Sequence, residues 1–499
     1  MTSKKQDESQ SQGYELDATE LYTDENISQR RRTPVNEKIL LFKIDLFVLS
    51  FVCLQYWINY VDRVGFSNAY VSGMKQDLDF KSDDFNLVNT CFTVGYVLGM
   101  IPHNLILLKV EPRLWLSFCT LSWGILTLSM YKITSFKQCC AIRFFQAVFE
   151  SCTFSGTHLI LGSWYKEKEL TMRSAIFTSS GLVGSIFSGF MQVKIHTSLN
   201  GRNGLAGWRW LFIIDFVITL PIAIYGFIFF PTTPDHGRNS RVQSFIFSEE
   251  ELRFARRRLP PRSENVRLDR TVFRRVFGRW HWWLFSFVWV LGGENLSFAS
   301  NSTFALWLAD QGYSLSQRNY NPVGIFAVGI VATLASAFYL DHCRSARHWH
   351  VAIVMAVVMC VVAVMIRAAP INPRVMFTAQ YLGGVAYAGQ AVFLAWANIA
   401  CRDDLQERAI VLASMNMFSG AVNAWWSLLF YAATAVPGFQ KGCYALIATS
   451  VASAIVSVLI RILQVKELKS KNSGGNISRN HFYMEANDQA EKEAVNSGF

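Results

Sequence analysis

A strongly apolar stretch in the first third of the chain carries polar groups at regular spacing. Arg143, Glu150 and Thr157 follow one another at intervals of seven residues. Seven residues make almost two turns of an α-helix, so the three side chains share one face. A guanidinium group can bind both oxygens of a carboxylate, and burial favours the uncharged form of a carboxyl group. This face therefore combines a candidate anion ligand, Arg143, with a candidate proton carrier, Glu150.

A permanent ion pair between Arg143 and Glu150 is the structural alternative. Two helical turns separate residues by about 10 Å along the helix axis. That distance is too long for direct contact without an intervening group, so we favour the functional interpretation.

The first apolar stretch also places polar residues on one helix face. Gln55, Asn59, Asp62 and Arg63 follow at spacings typical of an α-helix. We expect Arg63 and Arg143 to bind an anion together. Gln55 and Asn59 would add hydrogen bonds, and Asp62 would take part in proton coupling. In the alternative interpretation, Asp62 only neutralises Arg63 at the helix end.

The second half of the chain adds a buried acid and several amides. Glu294 follows Gly292-Gly293 near the middle of its apolar stretch, and Asn301 lies seven residues further on. Ionisable groups at this depth mark function by default. Glu294 is therefore a candidate for substrate binding and for proton coupling, with a structural hydrogen bond as the alternative. Asn301, Gln390 and Asn416 are candidate substrate ligands, although helix packing alone explains many such amides.

These residues require helices that cross a lipid bilayer. Of the 499 residues, 51% are hydrophobic and 17% charged, whereas about a quarter are charged in a soluble protein. Stretches of about 20 apolar residues, enough to span a bilayer, fall near 42–64, 85–108, 114–132, 138–161, 174–194, 208–230, 281–308, 322–341, 349–367, 375–400, 408–432 and 443–465. The sequence predicts an all-α membrane protein with twelve transmembrane helices in two six-helix halves. Asp215, in the sixth stretch, is interpreted as structural or interfacial.

Polar segments divide the chain further. We expect disordered cytoplasmic tails at 1–38 and 466–499, six-helix halves at 39–230 and 281–465, and a basic cytoplasmic linker at 231–280. Two halves with a binding site between them are common in secondary transporters.

The distribution of positive charge predicts the orientation. Of the 47 Lys and Arg residues, 33 fall on the side of the N-terminus and 11 on the other side. Cytoplasmic loops carry the excess of Lys and Arg, so both termini are expected in the cytoplasm. Because the charges lie between apolar stretches, the net charge of +11 does not indicate nucleic-acid binding. The expected partner is the lipid bilayer, and the chain is expected to be monomeric.

Motifs for catalysis or cofactor binding are not evident. The ten cysteines have no framework or metal-binding spacing, so we expect neither disulfides nor a metal site. The linker lacks a phosphate-binding loop. The sequence therefore predicts a transporter rather than an enzyme, without cofactors, that moves a small organic anion with protons.

Several motifs resemble the anion:cation symporter branch of the major facilitator superfamily, and within it the fungal allantoate permease group. They are Asp62-Arg63, Arg143-Phe-Phe-Gln with Glu150, Trp164-Tyr165 with Arg173, and Gly204 with Trp208-Arg-Trp-Leu-Phe212. The resemblance implies that four residues line the anion and proton path, namely Asp62, Arg63, Arg143 and Glu150. The loop between the second and third stretches, Lys109-Val-Glu111-Pro112-Arg113, departs from the superfamily pattern, so no gating role is carried over to it.

Three longer runs resemble the plasma-membrane pantothenate:proton symporters of fungi. They are LLFKIDLFVLSFVCLQYWINYVDRVGF, GGENLSFASNSTFALWL and QERAIVLASMNMFSGAVNAWW. This resemblance implies proton-coupled uptake of pantothenate at the plasma membrane. Residue chemistry alone does not separate pantothenate from other small carboxylates such as biotin, nicotinate or allantoate. A nutrient sensor that has kept a transporter fold is the alternative from another class.

Overall fold

The computed structural model describes seven ranges of the chain: 35–81, 84–234, 245–259, 271–299, 301–343, 347–431 and 436–473. Their regular elements are helices. The predicted all-α architecture of twelve spans in two six-helix halves is confirmed. Most of the two predicted tails, and parts of the predicted linker, lie outside the described residues.

Spans 1 to 6 form the first half. Span 1 comprises Glu37–Ile44, Asp45–Leu49 and Ser50–Ala69; span 2 Asp84–Ile106; span 3 Pro112–Ser129; span 4 Phe136–Glu150 and Cys152–Trp164; span 5 Glu167–Leu199; and span 6 Gly207–Phe229. Short helical turns follow or join them at Tyr70–Met74, Lys75–Asp77, Met130–Lys132 and Arg202–Gly204.

Spans 7 to 12 form the second half. Span 7 comprises Trp280–Phe298 and Asn301–Asp310; span 8 Val323–His342; span 9 His348–Ala368; span 10 Pro373–Gly383, Gly384–Tyr387 and Ala388–Ala400; span 11 Leu405–Phe430; and span 12 Gln440–Ser473. A short helix at Leu315–Tyr320 joins spans 7 and 8. The first linker helix is Glu249–Arg257 and the second linker helix is Thr271–Phe277.

Span 9 illustrates why these sequences form membrane helices. Val354, Val357 and Val361 lie exposed on one face, and Met355 and Met359 are buried on the other. An apolar exposed face is stable in lipid, and a helix satisfies its backbone hydrogen bonds internally, as the bilayer interior requires.

The packing of the two halves follows one repeated pattern. In the first half, span 1 packs on span 5, span 2 on span 4 and span 3 on span 6; in the second, span 7 packs on span 11, span 8 on span 10 and span 9 on span 12. Between the halves, span 2 packs on span 11 and span 5 on span 8. Adding six to each span number reproduces every pairing. The contacts thus reveal an internal repeat that the sequence did not show.

Helix irregularities occur in corresponding spans of this repeat, namely spans 1 and 7 and spans 4 and 10. Span 1 contains a π-helical turn at Asp45–Leu49, span 4 a break at Ser151, and span 10 a 3-10 turn at Gly384–Tyr387. In span 7, one helix ends at Phe298 and the next begins at Asn301. Interrupted helices in transporters commonly form the substrate site.

Hydrogen bonds join the two halves on the side that the sequence predicts to be cytoplasmic, where the loops are rich in Lys and Arg. Arg408 of span 11 donates to the backbone oxygen of Gly162 at 3.0 Å and to Ser163 Oγ at 3.1 Å in span 4. Asn398 of span 10 donates to the backbone oxygen of His158. These donors bind the C-terminal part of span 4, and the Gly162 carbonyl lies in the last turn, where backbone carbonyls lack helical partners.

Two more contacts cross at the same level. Asn104 of span 2 donates to the backbone oxygen of Ala409 at 3.1 Å, and Asp341 of span 8 accepts from the backbone N–H of Met172 at 3.1 Å. The side that the sequence predicts to be cytoplasmic is therefore closed in this conformation.

Each linker helix binds a different half. In the first, Glu251 forms an ion pair with Lys43 of span 1 at 2.8 Å. In the second, Arg275 forms an ion pair with Asp404, just before span 11, at 2.8 Å. The first linker helix is therefore attached to the first half, and the second linker helix to the second half.

Close packing of span 2 on span 4 gives a first prediction. A Cβ added to Gly95 would collide with the backbone carbonyl of Phe144. We expect Gly95→Ala to destabilise the protein by about 1–3 kcal/mol, since the two helices must separate. Thermal denaturation in detergent, followed by size-exclusion chromatography, measures the effect.

Gly189→Ala in span 5 is the matched control, because its Cβ would meet nothing within 4 Å. It should leave the melting temperature unchanged or slightly higher. Equal melting temperatures for the two variants would contradict the proposed contact.

Candidate functional site

A cavity of about 550 Å³ lies between the halves and is lined by spans 1, 2, 4, 7, 10 and 11. Its polar lining consists of Tyr60, Arg63, Thr93, Tyr96, Ser297, Gln390, Asn416, Ser419 and Asn423. Its aromatic lining includes Tyr56, Phe92, Phe154, Trp289, Tyr387 and Phe393. The volume falls in the range of sites that bind small molecules.

Among the described residues, eight helices are long and apolar enough to cross a membrane. Spans 2, 4, 7 and 11 are not among them, and all four line the cavity, as spans 1 and 10 of the eight also do. Span 4 is divided at Ser151 into helices of 15 and 13 residues.

Arg63 of span 1 is the cationic residue on the cavity wall. Its side chain is 29% exposed, and its Nε donates to Glu150 Oε2 at 3.2 Å. The guanidinium lies over the ring of Tyr96 at 4.5 Å and near that of Phe92 at 5.5 Å. Nη2 is itself buried and makes no hydrogen bond of normal geometry to a described residue. The exposed part of the side chain lies on the cavity wall, where an anionic ligand can meet it.

Glu150 lies behind Arg63 and is fully buried. Its Oε2 accepts from Arg63 and from Asn59 Nδ2, the latter at 3.0 Å, and its Oε1 has no partner among the described residues. Glu150 is the last residue of the first helix of span 4, directly before the break at Ser151. This arrangement leaves one carboxylate oxygen free to take a proton.

Arg143 lies apart from the cavity. It is 4% exposed and donates to Gln146 Oε1 at 3.1 Å, and Gln146 donates to Thr127 Oγ1 at 3.0 Å. Its guanidinium lies over the rings of Phe66 at 4.6 Å and Phe92 at 4.2 Å. Cation–π contacts of this kind partly replace the water that a buried cation loses. In this conformation Arg143 is enclosed by protein groups.

The other candidates of span 1 face away from the cavity. Gln55 is buried and donates to Thr120 Oγ1 in span 3 at 2.8 Å. Asp62 is 2% exposed and faces spans 3 and 6, where Asp215 adjoins it. Of the four predicted residues in this span, only Arg63 lines the cavity.

The candidates of the second half fall into two groups. Gln390 and Asn416 line the cavity, and Asn416 Nδ2 has no partner among the described residues. Glu294 is 1% exposed, and neither of its oxygens has a partner among the described residues. It follows Gly293, which is on the cavity wall. Asn301 begins the second helix of span 7, and its side chain lies outside the described residues.

Sequence reasoning predicted Asn416 but missed Ser419 beside it. With Asn423, these two residues form a polar stripe along span 11. Their spacing of three and four residues is helical, so this signal was present in the sequence. Phe92 and Tyr96 carried no such signal, because aromatic residues are abundant throughout the chain.

Two groups of potential metal ligands occur among the described residues. They are His103 with Cys119 and Cys152, and His281 with Cys401 and Glu407. Protein groups already engage their histidines: His281 contacts Glu407 at 2.8 Å and Glu467 at 3.3 Å, and His103 accepts from Trp115 at 3.1 Å. We assign no metal to either group.

The helical repeat, the central cavity and the buried charges define a membrane transporter built from two related halves. The family model of the Major Facilitator Superfamily matches residues 52–427. The chain belongs to this superfamily and is a multi-pass membrane protein.

Two curated relatives are particularly similar. Pantothenate transporter FEN2 of Saccharomyces cerevisiae is 67% identical over 469 residues, which cover 93% of this chain and 90% of that protein. Pantothenate transporter liz1 of Schizosaccharomyces pombe is 37% identical over 438 residues, covering 88% of this chain and 84% of that protein.

Solved structures share the fold at low identity. The proton:xylose symporter XylE has a TM-score of 0.64 at 10% identity and covers 85% of this chain and 96% of its own. FucP in the outward conformation has a TM-score of 0.63 at 11% identity, with 82% and 98% covered.

The closed cytoplasmic side gives a second prediction. Because the halves are joined there, we expect the cavity to be reached from the opposite side. A cysteine at the cavity residue Asn423 should react in intact cells with a membrane-impermeant thiol reagent. A cysteine at Ser414, nearer the start of span 11 at Leu405 and buried, should not react.

The native protein, with its ten cysteines, provides the background for this experiment. Labelling of Ser414→Cys but not Asn423→Cys would contradict the assigned direction of opening.

Proposed function

We propose that this chain imports pantothenate with protons across the plasma membrane, by alternating exposure of the cavity between its halves. The similarity to two pantothenate transporters supports the substrate. The observation that carries the mechanism is the contact between Arg63 on the cavity wall and the buried Glu150.

Proton and anion binding are coupled through Arg63 in this proposal. When Glu150 is ionised, it holds Arg63 and neutralises it. A proton on Glu150 removes that negative charge, and the guanidinium then binds the carboxylate of the substrate. Departure of the anion restores the ion pair and favours release of the proton, because an unpaired buried charge is costly.

Arg143 acts as the second cation of the site in this proposal. It lies beyond Phe92, whose ring contacts both guanidinium groups. Its positive charge favours an anion in the cavity even without direct contact, since charges interact over longer distances in a low-dielectric interior. Direct binding to the substrate requires a conformation in which Arg143 leaves its contact with Gln146.

The neutral part of the substrate binds the second half in this proposal. Pantothenate carries an amide and two hydroxyl groups besides its carboxylate. Gln390 and Asn416 offer hydrogen-bond donors and acceptors on the wall opposite Arg63. An elongated molecule would thus contact both halves, as alternating access requires.

The remaining site predictions are part of the same proposal. Asn59 orients Glu150 through its hydrogen bond. Asp62 and Glu294 are further proton-coupling groups, supported by their burial. Gln55 and Asn301 remain predicted substrate ligands, and Gln55 would need to leave Thr120 to take that role.

Transport of another carboxylate is the second candidate. The Vitamin H transporter of Saccharomyces cerevisiae is 29% identical over 417 residues, covering 81% of this chain and 69% of that protein. Its name indicates that a related protein transports a different vitamin.

Uptake of radiolabelled pantothenate in a cell that lacks its own transporter tests the function. We expect uptake to fall as external pH rises, because protonation of the carboxyl groups precedes anion binding. An excess of unlabelled pantothenate should compete, whereas biotin, nicotinate and allantoate should not. Uptake that is independent of pH would refute proton coupling, and stronger competition by biotin would favour the second candidate.

Two substitutions separate the proposed roles of Arg63 and Glu150. Glu150→Gln keeps the shape of the side chain but removes its titration. It should preserve exchange of labelled for unlabelled pantothenate and abolish accumulation against a gradient. Arg63→Lys should raise the apparent KM for uptake and exchange roughly 10- to 100-fold, since a charge-assisted hydrogen bond is lost.

Quantification of protein at the cell surface controls for folding of both variants. Normal accumulation by Glu150→Gln would remove this residue from the proton path. An unchanged KM in Arg63→Lys would remove Arg63 from the anion site.

A further inference from the structure

A second acidic centre lies outside the cavity, where span 1 meets spans 3 and 6. The carboxyl groups of Asp62 in span 1 and Asp215 in span 6 lie close together where the two helices pack, as the position of Asp215 beside Gly65 shows. Asp215 is fully buried and Asp62 nearly so. Gly65, one turn beyond Asp62, permits this approach, since a Cβ there would lie 3.1 Å from Asp215 Oδ2.

The charged and polar groups around this pair are few. Asp62 interacts with Asp215 of span 6, with Glu150 and Arg143 of span 4, and with the indole N–H of Trp123 in span 3. The carboxylate oxygens of both aspartates have no hydrogen bond of normal distance and geometry to another described residue. No described lysine or arginine forms an ion pair with either of them.

Electrostatics limits the charge that this pair can carry. Two carboxylates in contact in a low-dielectric surrounding cannot both be ionised at moderate cost, so one of them binds a proton. Carboxyl groups coupled in this way titrate as a pair rather than as separate residues.

We propose that Asp62 and Asp215 hold one proton between them, and that Asp215 is a positioning residue that sets the pH at which Asp62 exchanges protons. This inference rests on the proposed proton coupling. The proton comes from water on one side of the membrane, binds a carboxylate oxygen of the pair, and returns to water on the other side. No other bond forms or breaks.

Trp123 opposes Asp215 in this arrangement. Its indole N–H lies near the carboxyl group of Asp62 without a hydrogen bond of normal distance and geometry, and the positive end of the N–H dipole favours the ionised carboxylate. The negative charge of Asp215 stabilises the protonated form instead. Removal of these two neighbours should therefore move the pH dependence in opposite directions.

The test is the external pH that gives half-maximal pantothenate uptake. Asp215→Asn removes the neighbouring charge, and its amide supplies a hydrogen-bond donor. We expect the midpoint to move by about one pH unit towards acid. Trp123→Phe removes the indole N–H and should move the midpoint towards alkaline pH.

Thr219→Val is the matched control. Thr219 lies one turn from Asp215 on span 6, is buried, and donates only to the backbone oxygen of Asp215. Its loss should leave the midpoint unchanged. Exchange of labelled pantothenate at a fixed acidic pH verifies that each variant is folded.

The outcomes separate this inference from the proposed function. Absence of pH dependence in the native protein would refute proton coupling itself. A pH-dependent native protein whose midpoint is unchanged in both Asp215→Asn and Trp123→Phe would refute the acid pair. A shift of both variants in the same direction would also refute it.

Discussion

The ion pair between Arg63 and Glu150 is the interaction on which the site depends. A guanidinium at membrane depth is tolerated only where other groups replace its hydration. Glu150 supplies the opposite charge, Tyr96 and Phe92 supply aromatic faces, and the cavity supplies an open side. Glu150 is buried on the side of Arg63 away from the cavity, and Arg63 is partly exposed to the cavity. A proton therefore binds the buried carboxylate, and an anion binds the guanidinium from the cavity. Competition for one guanidinium is thus the simplest physical link between the two ions.

The two halves contribute different chemistry to one cavity. The first half holds the cationic and acidic groups in spans 1 and 4, and the second half lines the cavity with amides and hydroxyls from spans 10 and 11. Contacts at the predicted cytoplasmic ends join the halves through donors such as Arg408 and Asn398, which bind backbone carbonyls of span 4. When these hydrogen bonds break, the acceptor left behind is an uncharged backbone carbonyl. A closure of this kind is compatible with repeated opening during transport.

The sequence predicted the architecture well, because about 20 apolar residues are needed for each span, and the charged residues within spans stood out against them. Arg63 and Glu150 were found in this way. The sequence did not reveal which arginine lines the cavity. That depends on helix rotation and on the close approach of Gly95 to Phe144, which places Phe92 between the two cations. The sequence did not relate Asp215 to Asp62, which lies more than 150 residues away in the chain. Only the packing of spans 1 and 6 brings them together.

Proton uptake during substrate binding is the most direct measurement of the central claim. Calorimetric titration of the purified protein with pantothenate, repeated in buffers of different ionisation enthalpy, gives the number of protons bound with the substrate. If anion and Glu150 compete for Arg63, binding near neutral pH should take up about one proton per pantothenate, and Glu150→Gln should take up far less. Tight binding to the native protein without any proton uptake would contradict the account.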